Sequence, residues 1–439
     1  MLNHIWLALI VLAVVLGGLD GRLNAVTDAA FDAAKTAVIT IALPLIGITA
    51  LWLGIMRLAE KAGLILALAR RLRPVLRRLF PDVPQEHPAM GSILMNLAAN
   101  MIGLTNAATP LGLRAMTDLE KLNPRPGTAT NAMCTFLALN TSSVQLLPTT
   151  AIGIMAAAGS TNPTAIVGTA LIATIGSTAA GIFAVKTLEK LRWFRLPPPE
   201  RPPGGRAPEA PNGGLEPDSV EGVGNTAPAW GKLVLGIYSV FLVVAFIQLM
   251  RQTPASGETA TLFLRTMNAV SVLAIPFFLS FFPLYAALHR VRVYEEFVEG
   301  AKEGFQVAVR IIPFLVAMLM AIGTFRAAGG VDMLARGLRP VLDLVQFPAD
   351  LLPLCLTRPL SGSATIGLFA DVVKTFGPDS LLARMAGTIL GSTETTFYVI
   401  AVYFGSVSVR KTRHAVAAGL LADLAGIIAA IVVCRIVFA

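Results

Sequence analysis

Apolar runs long enough to cross a bilayer recur along this chain, and no other feature narrows its folding options as much. Residues 2–18, 37–56, 163–186, 230–250, 262–288 and 415–439 each carry few or no charges. About 18 or more such residues in succession span the hydrocarbon core as a helix. Inside that core no water serves the backbone, so only helices and closed barrels cross it. Composition agrees. Of 439 residues, 55% are hydrophobic and 14% charged, and the mean hydropathy is +0.70, whereas soluble domains carry about 25% charged residues. The expected fold is an all-α, polytopic integral membrane protein.

The net charge of +9 is not a nucleic-acid signal. The excess sits in short clusters beside the spans, as expected of cytoplasmic loops. Residues 57–80, with Arg70-Arg71-Leu72-Arg73-Pro74 and Arg77-Arg78, read as a basic amphipathic stretch at the cytoplasmic surface, within reach of anionic lipid. Residues 1–18 lack a basic leader and a clear cleavage site, and are expected to remain as the first helix. Cys134, Cys355 and Cys434 all fall in apolar segments and are expected to be buried and reduced.

Between the spans lie polar segments broken by Gly and Pro. Thr357-Arg358-Pro359-Leu360-Ser361-Gly362-Ser363-Ala364-Thr365 opens one such stretch, and Gly391-Ser392-Thr393-Glu394-Thr395-Thr396 closes it. Upstream, Leu104-Thr105-Asn106-Ala107-Ala108-Thr109-Pro110-Leu111-Gly112 reads as too broken for a standard span, with a short polar helix over residues 114–122 beyond it. Asn140-Thr141-Ser142-Ser143-Val144-Gln145 interrupts the next apolar run. Irregular backbone at membrane depth survives only inside protein or beside water, so these stretches are expected to form two halves of one solute site.

The two halves resemble each other. Ala34-Lys35 before a span with Pro44 matches Ala301-Lys302 before a span with Pro313, and Leu72-Arg73-Pro74-Val75-Leu76 matches Leu338-Arg339-Pro340-Val341-Leu342. The segment from Leu104 echoes that from Leu360, and the one from Asn140 echoes that from Gly391. If the basic clusters at 70–78, 186–195 and 289–292 are cytoplasmic, residues 37–56 run inward and the span from Arg310 runs outward. That arrangement makes inverted repeats, a common transporter plan. The Pro/Gly-rich residues 196–229 read as a cytoplasmic linker between membrane halves 1–195 and 230–439.

Arg358 and Glu394 are the charged candidates. A guanidinium recognises carboxylate or phosphate bidentately, so Arg358 either binds an anionic group or pairs with Glu394, as a gate or as a structural pair. Glu394 could carry a proton or a cation. Asp371 and Asp423 are further intramembrane acids. Asn106, Thr109, Asn140, Ser142, Ser361 and Ser363 offer uncharged donors and acceptors, suited to a polar solute or Na⁺. Asn96 is read as packing. An enzyme is not expected: the four histidines lie far apart, none pairs with a serine, and there is no P-loop.

Several strings make the chain recognisable. Ala99 to Gly112, A-N-M-I-G-L-T-N-A-A-T-P-L-G, and Cys134 to Ser143, C-T-F-L-A-L-N-T-S-S, resemble spore maturation protein A. Phe297 to Phe305, Arg358 to Ser363, Gly391 to Tyr398 and Lys411-Thr412-Arg413-His414 resemble spore maturation protein B. The resemblance implies an A–B fusion within the nucleoside-recognition, or gate, family, related to the gates of concentrative nucleoside transporters. In spore formers that pair is implicated in late dehydration of the spore core. The implied function is secondary transport or gated passage of a small polar solute, nucleoside-like or a small organic anion. Na⁺ or H⁺ are the candidate coupling ions, and the bacterial cytoplasmic membrane is the expected location. The alternative is a membrane scaffold or regulator acting through a partner. Relatives imply homo-oligomerisation. No cofactor, metal or nucleic-acid partner is expected.

Overall fold

The computed structural model describes residues 2–103, 105–142, 144–194, 228–251, 261–330, 333, 336–337 and 346–438. Most of the expected linker, the 338–342 match and the Asn106 side chain lie outside the described residues. In the first half, α1 (Leu2–Leu19) turns at Gly21 into α2 (Leu23–Lys35). A π-helical stretch, Thr36–Ala42, then leads into α3 (Leu43–Lys61). Pro44 accounts for the widened turns, because it has no N–H to give and its ring crowds the carbonyl four residues back. On α4 (Leu64–Leu79), Ile65, Ala69 and Leu76 are buried while Arg70, Arg71, Arg73, Arg77 and Arg78 are exposed. This is the pattern of a helix lying on a surface.

Next come two structures that matter for the site. The first is a hairpin. Helix α5 (Pro88–Ile102) ends at Gly103, whose φ of 89° reverses the chain, and α6 (Thr105–Lys121) packs back along it. The expected break over residues 104–112 and the separate helix at 114–122 are therefore corrected to one helix running through Pro110. Packing on α5 overrides the proline penalty, and Asn96 Nδ2 reaches the Ala108 carbonyl at 2.7 Å. The second is a broken helix. α7 (Asn131–Ser142) stops, residues 144–148 are irregular, and α8 (Thr149–Ala157) resumes. α9 (Ile166–Leu188) closes the half.

The second half repeats the plan after α10 (Ala229–Arg251) and α11 (Leu262–Leu288). The expected span from Arg310 is the apolar end of a longer helix, α12 (Val293–Ala327). A hairpin follows, from α13 (Leu352–Thr357) through a turn at 358–361 into α14 (Gly362–Phe376). The second broken helix is α15 (Leu381–Ser392), extended residues 393–395, then α16 (Thr396–Ser406). The last helix is α17 (Ala415–Phe438).

Matching helices of the two halves pack against each other and run in opposite directions. On α3 and α12, Gly54 meets Phe297, while a Cβ on Gly304 would lie 2.5 Å from the Ala50 Cα. On α9 and α17, Gly181 meets Ala422 while Gly176 meets Ala429. In both pairs the numbers rise along one helix as they fall along the other. The repeats are therefore inverted, and small residues let their backbones approach. Arg57 seals the α3/α12 pair with bonds to Glu296 at 2.8 Å and Glu303 at 2.6 Å.

Among the described residues, five helical stretches are long and apolar enough to cross a membrane: Leu23–Lys61, Ile166–Leu188, Trp230–Arg251, Leu262–Leu288 and Ala415–Phe438. The chain is a multi-pass membrane protein. All three cysteines are buried and free.

Candidate solute site

Four helices surround the middle of the molecule. α7 packs on α9 and α17, and so does α15. Both α7 and α15 stop there, and stopping a helix strands its last carbonyls. In a continuous helix the Leu390 carbonyl would receive the Glu394 N–H, and the Thr141 carbonyl that of Gln145. The breaks reroute both. Glu394 N donates across the halves to Thr141 O at 2.8 Å. The freed Leu390 carbonyl accepts from Arg358 Nη2 at 3.1 Å. Ser142 O accepts from Thr174 Oγ1 at 3.2 Å. The bond from Glu394 to Thr141 joins the halves, and the other two are made within a half, so the stranded backbone groups find partners as buried backbone requires.

Each hairpin is tied to the break in its own half in the same way. Leu146 N donates to Met101 O at 3.0 Å in the first, and Phe397 N to Pro359 O at 3.0 Å in the second. This brings the two echoing sequence pairs to one place.

Arg358 follows α13 directly and is 3% exposed. Its Nε donates to Thr393 Oγ1 at 3.1 Å, and its Nη2 lies 4.0 Å from Glu394 Oε2. The Glu394 side chain is 35% exposed, so the pair has one buried member and one half-exposed. Gly362 faces them. A Cβ there would lie 3.0 Å from Thr395 Oγ1 and 3.9 Å from Arg358 Nη1, so a larger residue would press on the Thr395 hydroxyl.

The remaining candidates take different positions. Asn140 is buried, with Oδ1 accepting from Asn100 Nδ2 at 2.9 Å and Nδ2 donating to Phe136 O. Ser142 is fully buried and donates to Leu139 O at 3.2 Å. Both act as internal ties in this conformation. Ser361 caps α14, its Oγ accepting from Ala364 N at 3.2 Å. Ser363 and Thr109 are half-buried, in the first turn of α14 and on α6. Asn106 lies on α6, and its side chain is outside the described residues.

Three residues beyond the sequence-derived site belong here. Thr393 receives Arg358. Asp423 of α17 is 2% exposed and accepts from Thr396 Oγ1 at 2.5 Å, which places it deep inside the bundle. Tyr403 packs on Gly112, its hydroxyl 3.5 Å from Asn96 Nδ2. An aspartate amid a 24-residue apolar helix is a readable signal; the partners of Thr393 and Tyr403 are not. Asp371 pairs elsewhere, with Arg326 at 2.8 Å. A cavity of about 180 Å³ between the π-helical stretch, α8 and α14 is lined by Thr36, Thr40, Ile154 and Lys374, and by none of the motif residues.

A nucleoside-recognition family model, Gate, matches residues 42–160 and 308–410. Over 175 residues, 40% of this chain, there is 47% identity to Spore maturation protein A of Bacillus subtilis (strain 168), covering 89% of that protein. Over 172 residues, 39% of this chain, there is 43% identity to Spore maturation protein B of the same organism, covering 97% of it. Together they are consistent with two such proteins joined in one chain. Among solved structures, the crystal structure of the Alcanivorax borkumensis YdaH transporter is similar at 15% identity and a TM-score of 0.43, covering 98% of this chain and 96% of that one.

Proposed function

The chain belongs to the nucleoside-recognition (Gate) family, and on that premise we propose that it moves a small polar solute across the membrane, by secondary transport or gated passage. One observation carries the reading. Two broken helices from inverted halves end at the same point and hold a buried guanidinium beside an accessible carboxylate. Broken helices at the junction of inverted repeats hold the solute site in many secondary transporters.

Arg358 is the anchor in this reading. Its Nη2 has Glu394 only at 4.0 Å, beyond hydrogen-bond length. A nucleoside-like solute with carbonyl acceptors, or a small organic anion, would take Glu394's place beside it. Glu394 would accept a hydroxyl or amide N–H of the same solute. Ser363 in the first turn of α14 and Thr109 on α6, both half-buried, would line the approach. The membrane is the bacterial cytoplasmic membrane, with Arg70, Arg71, Arg73, Arg77 and Arg78 on its inner face, and further copies of the chain are assembly partners. No catalytic step is assigned.

The test is a thermal-stability screen of the full-length, detergent-purified protein against nucleosides, nucleobases, dicarboxylates and pyridine carboxylates, in Na⁺ and in K⁺ buffer. A ligand at 100 times its dissociation constant stabilises by about 2.7 kcal/mol. The reading expects a shift with one class, lost in Arg358→Gln. A screen without any shift would favour the scaffold, for which the internal satisfaction of Asn140 and Ser142 already speaks.

A further inference from the structure

Asp423 stands near the middle of α17, among small and aliphatic residues. It is 2% exposed. Oδ2 has the Thr396 hydroxyl at 2.5 Å, while Oδ1 is buried and has no donor. An ionised carboxylate with a bare oxygen in a membrane interior is costly, and neutralising it removes that cost.

The surroundings decide between a metal ion and a proton. Gly419 and Gly426 lie on the same face of α17, four residues before Asp423 and three after. A Cβ on Gly419 would fall 2.8 Å from the Thr396 methyl, and one on Gly426 would fall 2.5 Å from the Thr393 methyl. On the α9 side, the Ser177 hydroxyl is committed to the Ala422 carbonyl at 2.9 Å. Threonine methyls and the Thr396 and Ser177 hydroxyls crowd the face of α17 beside the acid, where a hard cation asks for six or more oxygens. Among the described residues, no cluster of three or more His, Cys, Asp or Glu side chains is available to hold a metal.

Charge points the same way. Among the described residues, the charged groups that act on Asp423 are Arg358 and Glu394. They stand 4.0 Å apart, so Arg358 supplies one positive charge to two carboxylates. Glu394 is the more exposed of the two carboxylates, so the uncompensated negative charge falls on the buried one.

We propose that Asp423 is a buried proton-carrying site that exchanges with solvent through the break at 393–396, with Glu394 at its accessible end. Asp423 takes a proton from water beside Glu394, by way of the Thr396 hydroxyl, and returns it along the same path. Only O–H bonds form and break. The coupling of this exchange to solute movement rests on the transport reading above; the protonation and its exchange do not.

Infrared spectroscopy of the full-length, detergent-purified protein tests it without any solute. At neutral pH the wild type is expected to show the carbonyl stretch of a protonated carboxyl, and to shift it as soon as buffer is exchanged for D₂O. Asp423→Asn is expected to lack the band. Asp423→Glu keeps the acid and moves the band, which covers the case of an Asp423→Asn protein that does not fold. Glu394→Gln is expected to keep the band and slow its D₂O shift. Absence of the band, its persistence in Asp423→Asn at wild-type intensity, or a band that does not exchange in D₂O would overturn the proposal. The last outcome would mark a sealed structural acid. A failed solute screen alongside a positive infrared result would reject transport and leave the proton site standing.

Discussion

Arg358 is held to the second break by the Leu390 carbonyl and the Thr393 hydroxyl, each at 3.1 Å, while Glu394 stands off at 4.0 Å. The guanidinium thus serves the backbone first and the carboxylate second. Arg358→Gln is expected to cost about 1–3 kcal/mol, because the Leu390 carbonyl is left dry and unpaired. Glu394→Gln is expected to cost under about 1 kcal/mol, since that side chain is half-exposed and stands beyond hydrogen-bond length from Arg358. A double-mutant cycle by denaturant unfolding in detergent reads the coupling between them, expected below about 1 kcal/mol. A coupling of several kcal/mol would make the pair a structural salt bridge and remove Glu394 from the solute site.

Gly391 and Pro148 bring the two breaks into contact. A Cβ on Gly391 would lie 2.4 Å from the Pro148 Cβ, and a proline ring has little room to give. Gly391→Ala is expected to destabilise by about 1–3 kcal/mol through overpacking. Gly91→Ala is the control. That glycine sits inside α5, and a methyl added there would meet nothing within 4 Å, so helix propensity favours the change by up to about 1 kcal/mol. Equal losses in both variants would show that the two breaks do not need this close approach.

Much of this architecture was legible because the bilayer restricts the options. The apolar runs from Ile166, Trp230, Leu262 and Ala415 became spans, and the echoes around Pro44 and Pro313 became the antiparallel pair α3 and α12. Arg358 and Glu394 were legible as neighbours because polar, Gly-broken residues at membrane depth have few places to go. Other features were not local. Pro110 signals a break, yet Asn96 and the packing of α5 keep α6 continuous. Asp423 reads as a lone acid until α16 brings Thr396 to it. The service of Thr141's carbonyl by Glu394 depends on two helices stopping at one height, which neither sequence segment states alone.

Asp379 ties the loops of the two halves at one end of the bundle. Its carboxylate accepts from Ser160 Oγ at 2.6 Å, Thr161 Oγ1 at 2.8 Å and Thr161 N at 2.9 Å, with Arg384 3.9 Å away. Burial alone would raise its pKa, but the Ser160 and Thr161 donors and Arg384 hold it below the usual carboxylate value. Its contribution is present above that ordinary value and lost only as pH falls through the lowered one. Asp379→Ala is expected to cost about 1–3 kcal/mol near neutral pH, read as a lower melting temperature. No change would show that the loops are held without it.

His414 gives the molecule an acid sensitivity at milder pH. It precedes α17, is fully buried, and both ring nitrogens lack a partner. Phe194 packs edge-on against it at 5.8 Å. Burial, aided by Arg413 and Lys186, pushes its pKa down to about 4 from an ordinary 6.5. Between those values the unfolded chain takes a proton that the folded protein refuses. Stability therefore falls as pH drops from 6.5 towards 4, and above 6.5 this group has no effect. Asp379 is silent across that window, so the two can be separated. His414→Phe keeps an aromatic ring against Phe194 and removes the titration, and is expected to flatten the melting-temperature profile between pH 6.5 and 4 while leaving its upper plateau near wild type. A profile as steep in the variant as in the wild type would place the acid sensitivity elsewhere.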